Sequence, residues 1–151
     1  MDKSDRAILN SLQIDSARPV AKLADEIGMS PSACHRRIRL LEERGFIQGY
    51  KAQLDHEQLG LMLEVFVTIS LVGQDEQNLD DFEAAVVRHP EILECWLTAG
   101  VSDYQLRLLA EDMNDYERLH RSVLARLPGV GSMTTQFVLR RIGENKGIRF
   151  S

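Results

Sequence analysis

The sequence predicts an α+β fold, in which an N-terminal winged helix-turn-helix precedes a ferredoxin-like βαββαβ domain. Three short amphipathic helical patterns fill residues 1–45, and a β-α-β-β-α-β order of patterns follows from residue 63. Charge changes in the same region: residues 1–54 hold nine Lys or Arg and seven Asp or Glu, whereas residues 55–151 hold nine and sixteen. A mildly basic first third on an acidic body indicates two domains with different tasks.

The composition is that of a globular protein. Hydrophobic residues make up 44% of the chain, which is enough for a packed core. The longest apolar stretch, residues 59–72, contains Glu64, so no membrane span is expected, and the N-terminus lacks the apolar region of a secretory signal. Cys34 and Cys95 lie in separate segments without CxxC spacing, which is typical of reduced thiols. We therefore expect a cytoplasmic protein without a membrane partner.

The first domain is predicted at residues 1–52, with a helix-turn-helix motif at about 20–44. Its first helix is expected to begin at a cap formed by Ser4 or Asp5. Apolar residues on one side continue to about Ile14, where the letters DSARP break the pattern.

The turn of the predicted motif contains only three residues, with the letters GMS. The second helix runs from Val20 and stops at Gly28, because glycine readily takes the left-handed conformation that ends helices. Ser30 is a good N-cap for the third helix, and Pro31 suits its first position. This helix is expected to reach about Arg44. A helix, a tight glycine-containing turn and a second helix make up a helix-turn-helix.

The predicted third helix has one apolar face and one basic face. At 100° per residue, Cys34, Ile38 and Leu41 fall together and would pack on the first two helices. The other face suits a DNA major groove, where arginine can bond guanine or clamp phosphates. The alternative is an ordinary solvated face on which glutamates and arginines pair. The outward residues are Ser32, Arg36, Arg39 and Glu43, with His35 nearby and Arg37 on the flank.

The segment FIQGYKAQLD after the third helix alternates and contains Gly49, which predicts a short hairpin or wing strand. Lys51 would be available there for contact with a DNA backbone. A linker is predicted at residues 53–62.

Four strand patterns and two helix patterns build the second domain, predicted at residues 63–151. LMLEVFVTISLV, ILECWLTAG, DYQLRLLAE and MTTQFVLRR read as strands. The two helical segments share a D-aromatic-E start, at Asp81 and Asp115, and a proline afterwards, which marks two repeated halves. This is the split βαβ, ferredoxin-like arrangement. The expected N-caps are Asn78 or Asp80 and then Asn114, and the expected helix ends are Arg88 and Arg126.

Helices are expected to cover one face of this sheet and to leave the other open. An open face that carries Phe and Trp is typical of an association surface, although a partly exposed sheet of a small protein is the alternative. Self-association would present two recognition helices to two half-sites about one helical turn apart. The residues expected on the open face are Phe66, Trp96, Thr98 and Val138.

The chain resembles the Lrp/AsnC family of feast/famine transcriptional regulators over nearly its whole length. The segments that carry the resemblance are LADEIGMSPSACHRRIRLLEERGFIQGY, LTAGVSDYQLRL and LARLPGV. The first contains the pattern S-P-x-x-C-x-x-R-[VI]-x-x-L-E-x-x-G-[FI]-I, which is highly specific. The resemblance implies a DNA-binding regulator that recognises a palindromic operator and forms dimers, or octamers built from them. It also implies a small-molecule effector, an amino acid or a similar compound, bound between dimers, and no catalysis, cofactor or metal.

The resemblance also assigns roles to residues. Glycine permits close approach of a ligand to the Gly100 backbone, and the Asp103 carboxylate can take an α-ammonium group. As an alternative, Asp103 is a turn residue that bonds to its own backbone. The DNA-reading residues implied are Ser30, Ser32, His35, Arg36 and Arg39, with Arg37 on the DNA backbone. The effector loop implied is Gly100, Val101, Ser102, Asp103 and Tyr104.

The last strand departs from the family pattern. The family often has two threonines spaced by one residue after the LPGV turn, whereas this chain has Met133 and Thr135. Both are candidate effector-binding residues. A thioether cannot donate a hydrogen bond, so Met133 favours an effector with an apolar side chain.

An enzyme is the competing interpretation, because sirohaem decarboxylases resemble the same two-domain arrangement. His56, His89 and His120 are scattered, which is typical of surface histidines. No HxxxH, HExxH, GxSxG or phosphate-binding glycine loop is present in the sequence. A binding domain without DNA function is a second alternative, but it leaves the basic face of the third helix unexplained.

Overall fold

Across residues 1–143 and 147–149, which the computed structural model describes, α-helices and strands follow one another in the predicted order. The chain divides into one unit of Met1–Gln53 with Ile142–Ser151, and a second of Leu54–Arg141. The α+β fold class is confirmed. The elements are α1 (Lys3–Ile14), α2 (Val20–Ile27), α3 (Pro31–Glu43), β1 (Leu63–Leu71), α4 (Glu76–Val87), β2 (Ile92–Leu97), β3 (Tyr104–Ala110), α5 (Met113–Ser122) and β4 (Val130–Phe137), with a 3₁₀ turn at Leu124–Arg126.

The helix-turn-helix of the first unit is formed by α2 and α3. Gly28 ends α2 in the left-handed conformation, at φ 76°, where a side chain would be strained. Ser30 caps α3 by accepting a hydrogen bond from the backbone N–H of Ala33 at 3.3 Å. α1 packs against both helices. The buried core of this unit consists of Ile8, Leu9, Leu23, Ala24, Cys34, Ile38 and Leu41.

The start of α1 differs from the prediction, because Asp2 is its N-cap and not Ser4 or Asp5. Asp2 Oδ1 accepts a hydrogen bond from the N–H of Asp5 at 2.9 Å, and Asp5 Oδ2 accepts one from the N–H of Asp2 at 3.0 Å. This reciprocal capping box satisfies both donors and begins the helix at Lys3.

The predicted wing strand is wrong, since residues 46–53 form no strand. The N–H groups of Phe46 and Ile47 both donate to the carbonyl of Leu41, which turns the chain back after α3. In the part of the chain that the structure describes, no strand forms a ladder with the rest of the segment.

The four strands of the second unit form one antiparallel sheet in the order β2-β3-β1-β4. α4 and α5 cover one face, and their buried residues Phe82 and Leu119 complete a core with inward residues of the strands. The alternation predicted for β1 is confirmed, because Val65, Val67 and Ile69 are fully buried.

The boundaries of the helices in this unit differ from the prediction. Asp75 caps α4 and Asp112 caps α5, so both helices begin earlier than expected. α4 ends at Val87, and α5 ends at Ser122, before the 3₁₀ turn that reaches Arg126. The last strand begins at Val130, ahead of the MTTQFVLRR pattern.

Candidate functional site

The outer face of α3 is exposed and polar, as predicted. Ser32, His35, Arg36 and Arg39 are all exposed, while Cys34 on the opposite face is fully buried. Among the described residues, the Arg36 and Arg39 side chains form no hydrogen bond or ion pair, so both are available to a ligand. The alternative, in which a glutamate of the same helix pairs with Arg39, is not formed among the described residues.

Arg37 differs from its two neighbours, because its guanidinium is held by carboxylates. Its Nη1 atom lies 2.7 Å from Asp2 Oδ2 and 2.7 Å from Asp5 Oδ1. Hydrogen bonds to these two aspartates raise the pKa of Arg37. The backbone N–H of Asp5 and the Arg37 guanidinium both hold the pKa of Asp2 below its usual value. Arg37 therefore joins α3 to the start of α1.

The end of α3 is held by two contacts within its own unit. The Tyr50 hydroxyl donates to Glu42 Oε1 at 2.9 Å. Burial, and then this hydrogen bond to a carboxylate, raises the pKa of Tyr50 to about 12. Arg44 lies over the ring of Phe46, with 5.2 Å between the guanidinium carbon and the ring centroid. Glu42 and Arg44 thus stabilise the turn after the helix.

The loop between β2 and β3 lines a cleft of about 500 Å³. Gly100 lies in this loop at φ 152°, and no atom lies within 4 Å of the place where its Cβ would be. A ligand can therefore approach the backbone there directly. The lining residues are Gln74, Leu79, Leu97, Thr98, Ala99, Gly100 and Asp103.

Asp103 fixes the position of this loop. Its Oδ2 accepts a hydrogen bond from the backbone N–H of Leu71 at 2.8 Å, and its Oδ1 accepts one from Gln74 Nε2 at 2.7 Å. Its own N–H donates to the carbonyl of Ile69 at 2.9 Å. The carboxylate thus lines the cleft and joins the loop to the end of β1, outside its own turn. The Asp103 backbone carbonyl accepts from the N–H of Thr98 at 2.7 Å within the loop.

The other predicted effector residues lie apart from the cleft lining. Val101 is fully exposed, and the Tyr104 side chain is buried, with its hydroxyl donating to Glu83 Oε1 at 2.8 Å. Burial, and then this hydrogen bond, raises the pKa of Tyr104. Met133 packs against the core, and the Thr135 hydroxyl lies 2.5 Å from the Tyr116 hydroxyl. Ser102 is half-buried and offers its backbone carbonyl to the Thr98 hydroxyl at 2.9 Å.

Sequence reasoning missed several residues of the cleft. Thr98 and Ala99 stand directly before Gly100, so the position of the glycine between two strands was a usable signal. Gln74 gave no such signal, because it follows β1 and reaches Asp103 only through the pairing of β1 with β3.

The open face of the sheet combines aromatic residues with a charged cluster. Phe66 lies on it half-buried, and Trp96 is 43% exposed. Glu64 is buried there, with Oε1 2.7 Å from Arg107 Nε and 3.2 Å from Arg141 Nη2. Burial raises the pKa of Glu64, but the hydrogen bond and charge of Arg107, with the charge of Arg141, outweigh it, so the pKa lies below its ordinary value.

In residues 1–143 and 147–149, no three His, Cys, Asp or Glu side chains are grouped so that they could hold a metal ion. No helix in that part of the chain is both long and apolar enough to cross a membrane.

Comparisons with family models match both parts of the chain. An AsnC-type helix-turn-helix domain matches residues 1–42, and an Lrp/AsnC ligand binding domain matches residues 64–148.

Curated relatives are similar over most of their length. An HTH-type transcriptional regulator of Sinorhizobium fredii is 48% identical over 117 residues, which are 78% of this chain and 92% of the relative. The leucine-responsive regulatory protein of Salmonella typhimurium is 40% identical over 145 residues, 96% of this chain and 88% of the relative.

Solved structures share the fold of the whole chain. A transcriptional regulator of Neisseria meningitidis in complex with L-Met has a TM-score of 0.90 and 33% identity, covering 95% of this chain and 93% of its own. An AsnC family transcriptional regulator of Agrobacterium tumefaciens has a TM-score of 0.91 and 32% identity, covering 99% of this chain and 97% of its own.

Proposed function

Because the chain belongs to the Lrp/AsnC family of transcriptional regulators, we propose that α3 reads a palindromic operator and that an amino acid bound in the second unit changes DNA affinity or assembly. The observation that carries the DNA part is the sidedness of α3. Its inward residues are buried, whereas Arg36 and Arg39 are exposed without partners in the described chain. Exposed guanidinium groups of this kind can bond guanine O6 and N7 in pairs.

The other proposed DNA-binding residues have supporting roles. Ser32 and His35 are exposed beside the two arginines and can contact bases or phosphates. Ser30 already accepts from the N–H of Ala33, so its contribution is to orient the start of α3, where helix N–H groups favour a phosphate.

The proposed partner in assembly is a second copy of the chain. Support comes from the open sheet face, on which Phe66 and Trp96 remain partly exposed. Burial of such an aromatic patch between two copies requires that the charges beside it have partners, and Glu64 and Arg107 already neutralise each other. Octamers built from such dimers are part of the same proposal.

The proposed effector is an amino acid with an apolar side chain. The cleft offers the Asp103 carboxylate for an ammonium group and open backbone at Gly100 for a carboxylate. The similar Neisseria meningitidis protein was solved with L-Met, which is such an amino acid. Met133 and Thr135 lie on β4, where Met133 is the partner of Ile69 on β1. Ile69 also accepts the backbone hydrogen bond of Asp103. We propose that Met133 and Thr135 act from beside the cleft once a second copy is bound.

A thermal-shift screen against the twenty amino acids tests the effector. One site with ligand at about 100 times its dissociation constant adds roughly 2.7 kcal/mol of stability, which is readily visible. If none of the twenty amino acids raises the unfolding temperature, the proposal for the effector is wrong.

Salt-dependent retardation of promoter DNA tests the DNA function, because phosphate contacts weaken as salt rises.

We propose that the protein works in the cytoplasm, with the DNA, and that it has no catalytic activity. A Soret band in the purified protein would instead support a sirohaem-binding enzyme.

A further inference from the structure

The structure contains a link between α1 and α3 that the DNA-reading face does not explain. Arg37 uses one nitrogen, Nη1, for two carboxylates, Asp2 and Asp5, each at 2.7 Å. Each carboxylate uses its other oxygen for the capping box at the start of α1, at 2.9 and 3.0 Å. The three side chains therefore bind the backbone of one helix to the guanidinium of another. We refer to Asp2, Asp5 and Arg37 as the N-terminal latch.

The charge of the N-terminal latch opposes a direct contact between Arg37 and DNA. Two carboxylates surround one guanidinium, so the group carries a net charge of −1 (1 − 2) when both aspartates are ionised. A phosphate that approached Arg37 would meet this negative charge, and Nη1 would already be engaged with the two carboxylates. Arg36 and Arg39 carry no such neutralising partners among the described residues.

The position of Arg37 on α3 suits a positioning role. Successive residues of a helix are about 100° apart, so a restraint on Arg37 fixes the rotation of Arg36 and Arg39 about the same axis. The anchoring side chain of Asp5 is only 13% exposed, so the restraint is sheltered from water and ions on that side. Base recognition needs paired hydrogen bonds of defined geometry, and it is therefore sensitive to such a rotation.

We propose that the N-terminal latch positions α3 for base reading and that Arg37 acts on DNA through Asp2 and Asp5, not as a phosphate ligand. This inference rests on the proposed use of the outer face of α3. It assigns a function to two acidic residues at the start of α1, far in sequence from the recognition helix.

Whether Asp5→Asn weakens or strengthens DNA binding distinguishes a positioning role of Arg37 from direct phosphate binding. Binding of the full-length protein to a selected operator and to unrelated DNA of equal length would be measured by fluorescence anisotropy at several salt concentrations. With a positioning latch, D5N and R37Q each weaken operator binding roughly fivefold or more, while binding to unrelated DNA stays nearly unchanged. The R37Q/D5N double variant is then no weaker than R37Q, because both changes break one unit.

Direct phosphate binding by Arg37 predicts the opposite pattern. D5N would then strengthen binding to both DNAs, and R37Q would weaken both and lower the salt slope by about 0.9. Asp25→Asn is the matched control, because it removes the same charge from an exposed position of the same unit. An effect of D5N equal to that of D25N overturns the proposal. Asp2→Asn, at the more exposed end of the latch, replaces D5N if thermal unfolding shows that D5N does not fold.

These outcomes are distinct from a failure of the proposed function. If the unchanged protein prefers no DNA sequence, the proposed reading by α3 fails. If it selects an operator but D5N strengthens binding, only the latch proposal fails.

Discussion

The Asp103 carboxylate accepts a hydrogen bond from the backbone N–H of Leu71 at 2.8 Å, which joins the loop after β2 to the end of β1. The second oxygen of the same carboxylate accepts from Gln74 at 2.7 Å. One side chain thus shapes the cleft and supplies its negative charge. Its two roles can be separated, because an amide can accept a hydrogen bond but carries no charge.

Asp103→Asn is expected to keep the fold and to lose the response to the effector. The amide oxygen can still accept from Leu71, whereas the attraction for an α-ammonium group is lost. Asp103→Ala is expected to lose in addition about 1–3 kcal/mol of unfolding free energy, because the Leu71 N–H loses its partner. Thermal denaturation with and without amino acids measures both quantities. A ligand-induced shift in D103N equal to that of the unchanged protein would remove the carboxylate from recognition.

Arg36→Ala or Arg39→Ala is expected to weaken operator binding by about 1–3 kcal/mol, if the residue reads a base. Arg44→Ala is the control, because it removes the same charge from a residue that lies over the ring of Phe46 at the end of α3. Titration of labelled operator DNA at fixed salt measures the difference. Retained affinity in both the Arg36 and the Arg39 variant would contradict the role assigned to this face.

Acid is expected to destabilise the second unit through Glu64. Its pKa is lowered from the ordinary value of 4.5, so its contribution is fully present above pH 4.5 and is lost as pH falls through the lower pKa of the folded state. Glu64→Gln is expected to cost about 1–3 kcal/mol at pH 7, where Arg107 loses a charged partner, and much less at strongly acidic pH. Glu94→Gln, at the more exposed end of the same cluster, is the control. Denaturant unfolding at several pH values measures both variants, and an equal loss at every pH would contradict the assignment.

Phe66→Glu is expected to disrupt self-association, because it places a charge in the centre of the open face. Val87→Glu introduces the same charge at a residue of α4 that is 85% exposed and is the control. Sedimentation velocity measures the size of each assembly. A Phe66→Glu protein that sediments like the Val87→Glu protein would exclude this face as the interface.

The parts of the fold that sequence predicted well depend on local signals. Ser30, Pro31 and Gly28 define the turn of the motif through their own conformational preferences, and α3 has the predicted start. The helix starts that were missed also have a local cause. In each of these segments an aspartate that comes earlier in the chain is the N-cap, namely Asp2, Asp75 or Asp112. The residue predicted as the cap lies in the first turn of the helix or next to it.

The contacts of the candidate sites depend on residues far apart in sequence, which periodicity cannot pair. Asp5 and Arg37 are 32 residues apart, and so are Leu71 and Asp103. Glu64 lies on the open face, but its burial results from Arg107, 43 residues later, and from Arg141. The residue types of the site were therefore predictable, whereas the roles of Arg37 and Asp103 depend on the tertiary structure.

The pairing of Glu64 with Arg107 also has a consequence for how the sheet folds. Apart from the Tyr104 hydroxyl, the inward side chains of β1 and β3 are apolar, so burial hardly distinguishes the native strand register from one displaced by two residues. Such a displacement would shift Glu64 relative to Arg107 by about 7 Å along the strands and would break their hydrogen bond. The ion pair therefore penalises misregistered pairing of β1 with β3 and favours the native alignment of two strands that are distant in sequence.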